Sequence, residues 1–332
     1  MTQQEYLQKY QKILYQTFSR ALEKKQVSHA YLLVGEQGTP LLSTAKYLAK
    51  TLVCDHPSPF ACNTCFTCLR MDDGNYADFI LLDGSQKTIK KEEIQMIESA
   101  FEKTALEDKG IMIYIIHLVE NMTLEAINSL LKFLEEPEEN IYAILTTENE
   151  LKVLPTILSR AQKISLKKIP QEDILKECIE HEIPSEDAEL LSFFYQDIPS
   201  ILEILENDDY QVARNALDLF LNALTKIKEN ALYVTQTEIA SVVRSKEKAK
   251  WFLDLLVICF QEMLAIKGNY PIFLQSYATI LKKLSNQMDD IESEMLLCME
   301  ARGKLDLNVN IPLLLDHICI HWIKGGHSDG RK

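Results

Sequence analysis

Four cysteines lie close together in the sequence CDHPSPFACNTCFTC, with the spacing Cys54-x7-Cys62-x2-Cys65-x2-Cys68. Four thiolates at such a spacing can close a tetrahedral shell around zinc, and a closed shell leaves no open position for catalysis. The pattern therefore predicts a structural zinc site, in which His56 could replace one cysteine. Two alternatives stay open: a redox-active CxxC pair, which does not need four cysteines, and four free thiols that are neighbours by chance.

A second stretch, GEQGTPLLST, stands where a phosphate-binding loop would stand, because it follows the apolar run AYLLV and opens a helical pattern. Gly35 and Gly38 occupy two expected glycine positions. Pro40 replaces the third glycine, Leu41 the phosphate-binding lysine and Leu42 the magnesium-binding hydroxyl residue. ATP hydrolysis needs that lysine and hydroxyl, and proline offers no N–H to a phosphate. The stretch predicts a degenerate loop without bound ATP.

The second half of a nucleotide site is also missing. A P-loop ATPase places a carboxylate after its next apolar strand, where it holds Mg²⁺. Here the strand pattern IMIYII is followed by His117, and the first carboxylate comes only at Glu120. The joint loss of both halves indicates a disabled ATPase. A working ATPase with an unusual loop is the alternative.

The composition is that of a soluble globular protein, with 47% hydrophobic and 25% charged residues among 332. A formal net charge of -14 argues against nucleic-acid binding through the overall field, so DNA contact is expected through a local patch or partners. No apolar run is long enough to span a bilayer, and the N-terminus lacks an apolar signal core. These features predict a cytoplasmic protein without a membrane segment. The remaining cysteines are isolated in apolar helical stretches and are expected to be reduced and buried: Cys178, Cys259, Cys298 and Cys319.

Short apolar runs alternate with helical patterns through residues 30–166. Near-continuous apolar runs are typical of parallel strands covered by helices on both faces, so we expect a doubly wound α/β domain. The predicted strands are 30–34, 78–82, 111–116, 142–147 and 163–166, and the predicted helices between them are 41–53, 91–104 and 122–135. In the last helix one face carries Leu124, Ile127, Leu130, Leu131 and Leu134, after a predicted N-cap at Thr123.

After Pro170 the strand signals stop and helical patterns continue to the end of the chain. We therefore expect three domains. An α/β domain covers 1–166 and includes the zinc module at about 54–68. A small helical domain covers 167–206, a larger helical domain covers 207–324, and the polar tail 325–332 is expected to be disordered.

Taken in order, five further segments resemble one family: HAYLLVGEQG, IYIIHLVENM, AINSLLKFLEEP, YAILTTEN and LPTILSRAQ. With the four-cysteine insert, they resemble the bacterial clamp-loader ATPases of the AAA+ class. The resemblance is dense over residues 28–170 and weaker, mainly in helical layout, to about 323. It implies an AAA+ domain, a helical lid over 167–206 and a helical collar over 207–324 that joins subunits.

The resemblance also implies a division of labour. Motor subunits of this family carry the intact nucleotide site, whereas one subunit serves as a rigid stator and lends an arginine finger to a neighbouring site. The matching residues here are Ser159 and Arg160, followed by Ala161 where the family usually has cysteine. The alternative for Arg160 is a solvated side chain beside Glu148 or Glu150.

The implied partners are the gamma/tau motor subunits and the delta subunit, with the sliding clamp and primer-template DNA reached through the complex. The implied cofactor is structural zinc. The second domain segment FFYQDIPSILEIL lacks the nucleotide-sensing arginine of the motor subunits, which agrees with the stator interpretation. Two rival functions remain: an active gamma/tau-like motor ATPase, and a zinc-containing nucleic-acid binder.

Overall fold

The structure is a computed structural model that describes residues 2–85, 87–101, 105–226, 228–307 and 309–323. The chain divides into two compact units, residues 1–170 and 171–332. A further division of the second unit into a lid and a collar stays a prediction. The tail 325–332, which was expected to be disordered, lies outside the described residues.

The first unit is built on a parallel sheet. Within the described residues it has five strands in the order β2-β3-β4-β1-β5, and every neighbouring pair runs parallel. The strands are β1 (Ala30–Val34), β2 (Phe79–Asp83), β3 (Met112–His117), β4 (Ile141–Thr147) and β5 (Gln162–Ser165). Each observed strand lies within one residue of its predicted bounds, because the apolar runs end sharply at polar or turn-forming residues.

Seven helices accompany the sheet in the described part of this unit. They are α1 (Gln3–Tyr10), α2 (Lys12–Glu23), α3 (Leu41–Val53), α4 (Phe66–Asp72), α5 (Lys91–Phe101), α6 (Leu124–Glu135) and α7 (Pro155–Leu158). The buried apolar faces of α5, α6 and α7 pack on the strands in a continuous core that includes Ile94, Leu130 and Tyr114. The predicted parallel α/β architecture is confirmed.

Helix α6 shows one difference from the sequence prediction. Thr123 caps the helix as expected, since its Oγ1 accepts a hydrogen bond from the Ala126 N–H at 3.2 Å. Leu130 and Leu134 are buried and Leu131 is partly buried, but Leu124 is 66% exposed. The apolar face predicted from the sequence is therefore buried except at Leu124, the first residue of the helix, because the buried residues begin at Ala126.

The second unit contains helices and connecting loops, and no strand is assigned among its described residues. Its helices are α8 (Gln171–Glu180), α9 (Ser185–Leu191), α10 (Ile198–Leu205), α11 (Asp208–Leu224), α12 (Lys228–Val234), α13 (Ala240–Val242), α14 (Lys246–Lys267), α15 (Ala278–Gln287), α16 (Ile291–Lys304) and α17 (Ile311–Ile323), with a π-helical turn at Thr235–Ile239. Its two tryptophans centre separate aromatic groups: Trp251 lies 5.3 Å from Tyr210, and Trp322 lies 4.9 Å from Phe260, between ring centroids.

The four isolated cysteines are free and buried, as expected. Burial raises the pKa of Cys178 to about 11 and raises the pKa values of Cys259, Cys298 and Cys319 as well. A buried thiol with a raised pKa forms little thiolate and is inert. Among the described residues, no helix combines the length and the apolar character that a membrane crossing requires.

Two leucines of α6 offer a matched test of its buried face. Leu130→Ala removes a side chain that is 1% exposed and should lower the free energy of unfolding by about 2–5 kcal/mol. Leu124→Ala, the same substitution at an exposed position, should change it by less than about 0.5 kcal/mol. Urea denaturation followed by circular dichroism measures both. Equal effects of the two substitutions would contradict the observed burial.

Candidate functional site

The four clustered cysteines converge in space. Cys54 follows the end of α3, Cys65 caps the start of α4 and Cys68 lies in its first turn. All four Sγ atoms lie within 4.8 Å of one another, with Cys54 Sγ at 3.6 Å from Cys62 Sγ and 3.9 Å from Cys65 Sγ. Zinc–sulfur bonds of about 2.3 Å in a tetrahedron place sulfurs roughly 3.8 Å apart. The cluster therefore has the size of a zinc shell.

Backbone N–H groups point at these sulfurs. Cys62 N–H donates to Cys54 Sγ at 3.3 Å, Cys65 N–H to Cys62 Sγ at 3.3 Å and Cys68 N–H to Cys65 Sγ at 3.4 Å. Hydrogen bonds from Thr64 lower the pKa of Cys62 to about 5, and the bond from its backbone has a larger effect than the bond from its side chain. Burial raises the pKa values of Cys54 and Cys68. The donors favour thiolate at Cys62, the form that binds a metal.

Ligand identity follows from the same distances. Among the described residues, the group able to hold a metal ion consists of the four cysteines, and exposed His56 does not belong to it. The arrangement supports four sulfur ligands rather than a histidine substitution. It also brings all four cysteines together, which a redox pair would not require.

The cysteine module, residues 54–68, and helix α4, which continues from it to Asp72, are tied to the body of the unit by charge and by stacking. Lys50 Nζ lies 2.6 Å from Asp72 Oδ1, and the Arg70 guanidinium donates to both carboxylate oxygens of Glu107 at 2.7 and 2.8 Å. Phe60 is 1% exposed and stacks on Tyr47 with ring centroids 5.9 Å apart. Because Arg70 is paired with Glu107, α4 does not present it as a free cation to nucleic acid.

Three backbone N–H groups of the loop after β1 are bonded within the fold. Thr39 N–H donates to Glu36 O at 3.0 Å, and Leu41 N–H donates to Thr39 O at 2.7 Å. Gly35 N–H extends the sheet by donating to Thr147 O, and Pro40 has no N–H. A phosphate nest needs such donors directed at the ligand. Here the loop's own carbonyls and the end of β4 accept them.

The side chains of the loop agree with its backbone. Leu41, which takes the place of the lysine, is 1% exposed and belongs to the core, so this position offers neither charge nor reach. Gly38 has φ +86°, a left-handed conformation that favours glycine. Thr39 packs directly over Gly35, where a Cβ atom would come within 2.9 Å of the threonine side chain. The turn keeps the outline of a phosphate-binding loop without its charge.

His117 stands at the end of β3, at the position expected for a metal-binding carboxylate. Its Nδ1 lies 2.7 Å from Thr146 Oγ1 on β4, and burial lowers the pKa of His117. The imidazole is therefore neutral near pH 7 and contributes to the packing between two strands. Glu120, the next carboxylate, accepts a hydrogen bond from Glu148 N–H at 2.8 Å. Both groups take part in contacts within the fold.

Arg160 lies between the one-turn helix α7 and β5. Its Nη1 donates to Thr156 O at 3.0 Å and to Ser159 Oγ at 3.2 Å, while its Nη2 lies 2.7 Å from Glu135 Oε1. Its side chain remains 31% exposed. Ala161 is buried in the core, which explains why a small residue suits this position.

The carboxylate partner of Arg160 was not anticipated from the sequence. The alternative for Arg160 places it beside Glu148 or Glu150, but Glu150 pairs with Lys163 at 2.7 Å, and the observed partner of Arg160 is Glu135 at the end of α6. The sequence could not indicate Glu135, because α6 and the segment after α7 meet only through tertiary packing. The one available signal was the acidic ending of the LLKFLEEP segment.

The strand register places Arg160 and the loop at opposite ends of the parallel strands. In the β1–β5 pair, Tyr31 is opposite Gln162 and Val34 is opposite Ser165. Arg160 precedes β5 and so lies at the amino-terminal end of the strands, whereas the loop follows β1 at their carboxyl-terminal end. The two are separated by about the length of β1, roughly 15 Å for five residues.

Comparisons with known proteins agree on one family. The family described as DNA polymerase III, delta subunit, matches residues 10–170. The DNA polymerase III subunit delta' of Bacillus subtilis (strain 168) is 31% identical over 318 residues, which cover 95% of this chain and 95% of that protein. The chain belongs to the DNA polymerase III delta' family.

Two further similarities fit the delta' family. The DNA polymerase III subunit tau of Bacillus subtilis is 37% identical over 162 residues, 48% of this chain and 28% of that protein. A gamma subunit-related protein of DNA polymerase III from Thermotoga maritima has a similar fold, with a TM-score of 0.50, 19% identity, and coverage of 94% of this chain and 99% of that one. The resemblance predicted from the motifs is confirmed, and delta' membership places this chain among the clamp-loader subunits of the polymerase complex.

The cysteine geometry generates a metal prediction for this delta' family member. Protein produced with ample zinc should contain about one zinc per chain, measured by elemental analysis, and chelation should lower its melting temperature because metal binding stabilises the folded module. Cys62→Ala with Cys65→Ala should abolish zinc binding.

The matched control is His56→Ala, which changes an exposed residue of the same module and should retain the metal. Zinc-free wild-type protein would refute the assignment. Loss of zinc in the His56 variant would instead make histidine a ligand.

Proposed function

We propose that this clamp-loader subunit hydrolyses no ATP itself and supplies Arg160 to the nucleotide site of a neighbouring subunit. The observation that carries the proposal is the position of Arg160 at the amino-terminal end of the strands, opposite its own loop. A guanidinium at that end cannot reach a phosphate bound at the loop of the same chain. It remains partly exposed and can meet a ligand held by another subunit.

The degenerate loop supports the non-catalytic half of the proposal. Leu41 is buried where a phosphate-binding lysine would stand, and the N–H groups of Thr39 and Leu41 are already bonded. His117 replaces the Mg²⁺ carboxylate and bonds to Thr146. An active gamma/tau-like motor, the alternative function, would need that lysine charge and that carboxylate.

The proposal extends to the rest of the chain through the delta' family. The four cysteines hold a structural zinc, residues 167–206 form a lid, and residues 207–324 form a collar that joins subunits. The partners are the gamma/tau and delta subunits, with the sliding clamp and primer-template DNA reached through the assembled loader in the cytoplasm. A net charge of -14 agrees with DNA contact through the complex rather than by this chain alone.

Nucleotide binding separates the stator from the motor alternative. Calorimetry of the isolated chain with ATP and Mg²⁺ should show no binding heat, and ATP should leave the melting temperature unchanged, because the loop lacks the lysine and its Thr39 and Leu41 N–H groups are already bonded. A P-loop ATPase measured in the same buffer is the positive control. Micromolar binding to this chain would contradict the disabled loop and favour the motor alternative.

The arginine finger is tested in the assembled loader. Arg160→Ala should leave assembly intact and lower the ATPase rate at the adjacent site by about a thousandfold or more, the usual contribution of such a group. Single-turnover hydrolysis of pre-bound ATP measures that site directly. The control is Arg20→Ala, the same substitution at an exposed position near the end of α2. Unchanged hydrolysis in the Arg160 variant would refute the finger.

A further inference from the structure

Glu135 and Arg160 form an ion pair that the proposed function does not by itself require. Glu135 is the last residue of α6 and ends the LLKFLEE part of the LLKFLEEP segment; Glu136 caps the helix, and Pro137 follows. Its Oε1 lies 2.7 Å from Arg160 Nη2, although 25 residues separate the two along the chain.

The backbones on both sides of this pair are anchored in the same core. Leu134, next to Glu135, is 3% exposed, while Ile157 and Ala161 enclose the Arg160 segment and are 1% and 8% exposed. Arg160 N–H and Ala161 N–H both donate to Ile157 O at 3.1 Å. The spacing between the carboxylate and the guanidinium is therefore set by buried packing rather than by two freely moving surface segments.

Some N–H donors of the Arg160 guanidinium are engaged within the fold, and others are available to a ligand. Nη1 donates to Thr156 O and Ser159 Oγ, and Nη2 lies 2.7 Å from Glu135 Oε1 in an ion pair. A guanidinium has five N–H donors, so these three contacts leave Nε–H and one Nη2–H without an acceptor among the described residues. A bidentate contact between arginine and phosphate uses two such N–H donors.

We propose that Glu135 is a positioning residue that holds the Arg160 guanidinium in place before a neighbouring subunit's ATP phosphate arrives. The inference rests on the proposed finger role and deepens it. An unrestrained arginine samples many rotamers and loses that freedom when it engages a phosphate. A partner that restricts the side chain beforehand leaves less freedom to lose in the transition state. The carboxylate holds the group, and the remaining donors face the reaction.

The acidic run around Glu135 supplies a matched control. Glu139 is exposed, and no ion pair joins it to a described cation. Glu135→Gln and Glu139→Gln remove the same charge from the same surface, so a general field effect would alter both loaders equally. Only Glu135→Gln removes the contact with Arg160.

The experiment measures steady-state ATPase of the assembled loader for each variant, normalised to intact complex by gel filtration. Glu135→Gln should lower kcat at the adjacent site about threefold, the effect expected for one partly exposed ion pair, and leave the half-saturating ATP concentration unchanged. Glu135→Asp, which keeps the charge with a shorter reach, should restore part of kcat. Glu139→Gln should match the wild type.

A double-variant comparison completes the test. Arg160→Ala combined with Glu135→Gln should hydrolyse ATP no more slowly than Arg160→Ala alone, because a positioning residue has no effect without its partner. Unchanged or raised kcat in Glu135→Gln, with Arg160→Ala still impaired, would overturn this inference and leave the finger standing. A raised rate would mean that the carboxylate competes with phosphate. No effect of Arg160→Ala would refute the proposed function and this inference together.

Discussion

The pairing of β1 with β4 on one side and β5 on the other is the interaction on which the rest of the first unit depends. Val34 stands opposite Thr147 and Ser165, and hydrogen bonds continue beyond the strands from Gly35 N–H to Thr147 O and from Leu166 N–H to Val34 O. Parallel strands have all their amino-terminal ends on one side of the sheet and all their carboxyl-terminal ends on the other. This register therefore places the loop after β1 on one side and the segment before β5 on the other. The separation of Arg160 from its own loop follows directly.

The loop after β1 has the outline of a phosphate-binding loop, but it places a core residue, Leu41, where a lysine would stand. A lysine at a phosphate site must keep its charge near solvent or ligand, since burying it unpaired is costly. Leucine at position 41 has the opposite preference, because burying its side chain stabilises the folded state by about 1.5–3 kcal/mol. The neighbouring N–H groups then bond within the loop, and His117 pairs with Thr146 instead of a metal. Leu41, the two N–H groups and His117 thus all make contacts within the fold.

The cysteine module has a different source of order. It holds few apolar side chains, and Phe60 is the aromatic one buried against the body of the unit, between Tyr47 and Phe18. A segment of this size cannot form a hydrophobic core of its own, so a cross-link by metal is a natural means of stabilising it. Convergence of the four sulfurs within 4.8 Å follows from the short helix α4 and the turns before it.

The sequence by itself determined the elements and the chemistry that depends on local spacing. Strand bounds were predicted to within one residue because buried parallel strands are apolar throughout, and the CxxCxxC core brings its cysteines together through local turns alone. The absent lysine could be read from position 41 without a structure. Only tertiary structure decided that Leu124 is exposed, that Glu135 is the partner of Arg160, and that Arg160 lies opposite its own loop. Those features depend on the strand order β2-β3-β4-β1-β5 and on packing between residues far apart in the chain, which no local pattern encodes.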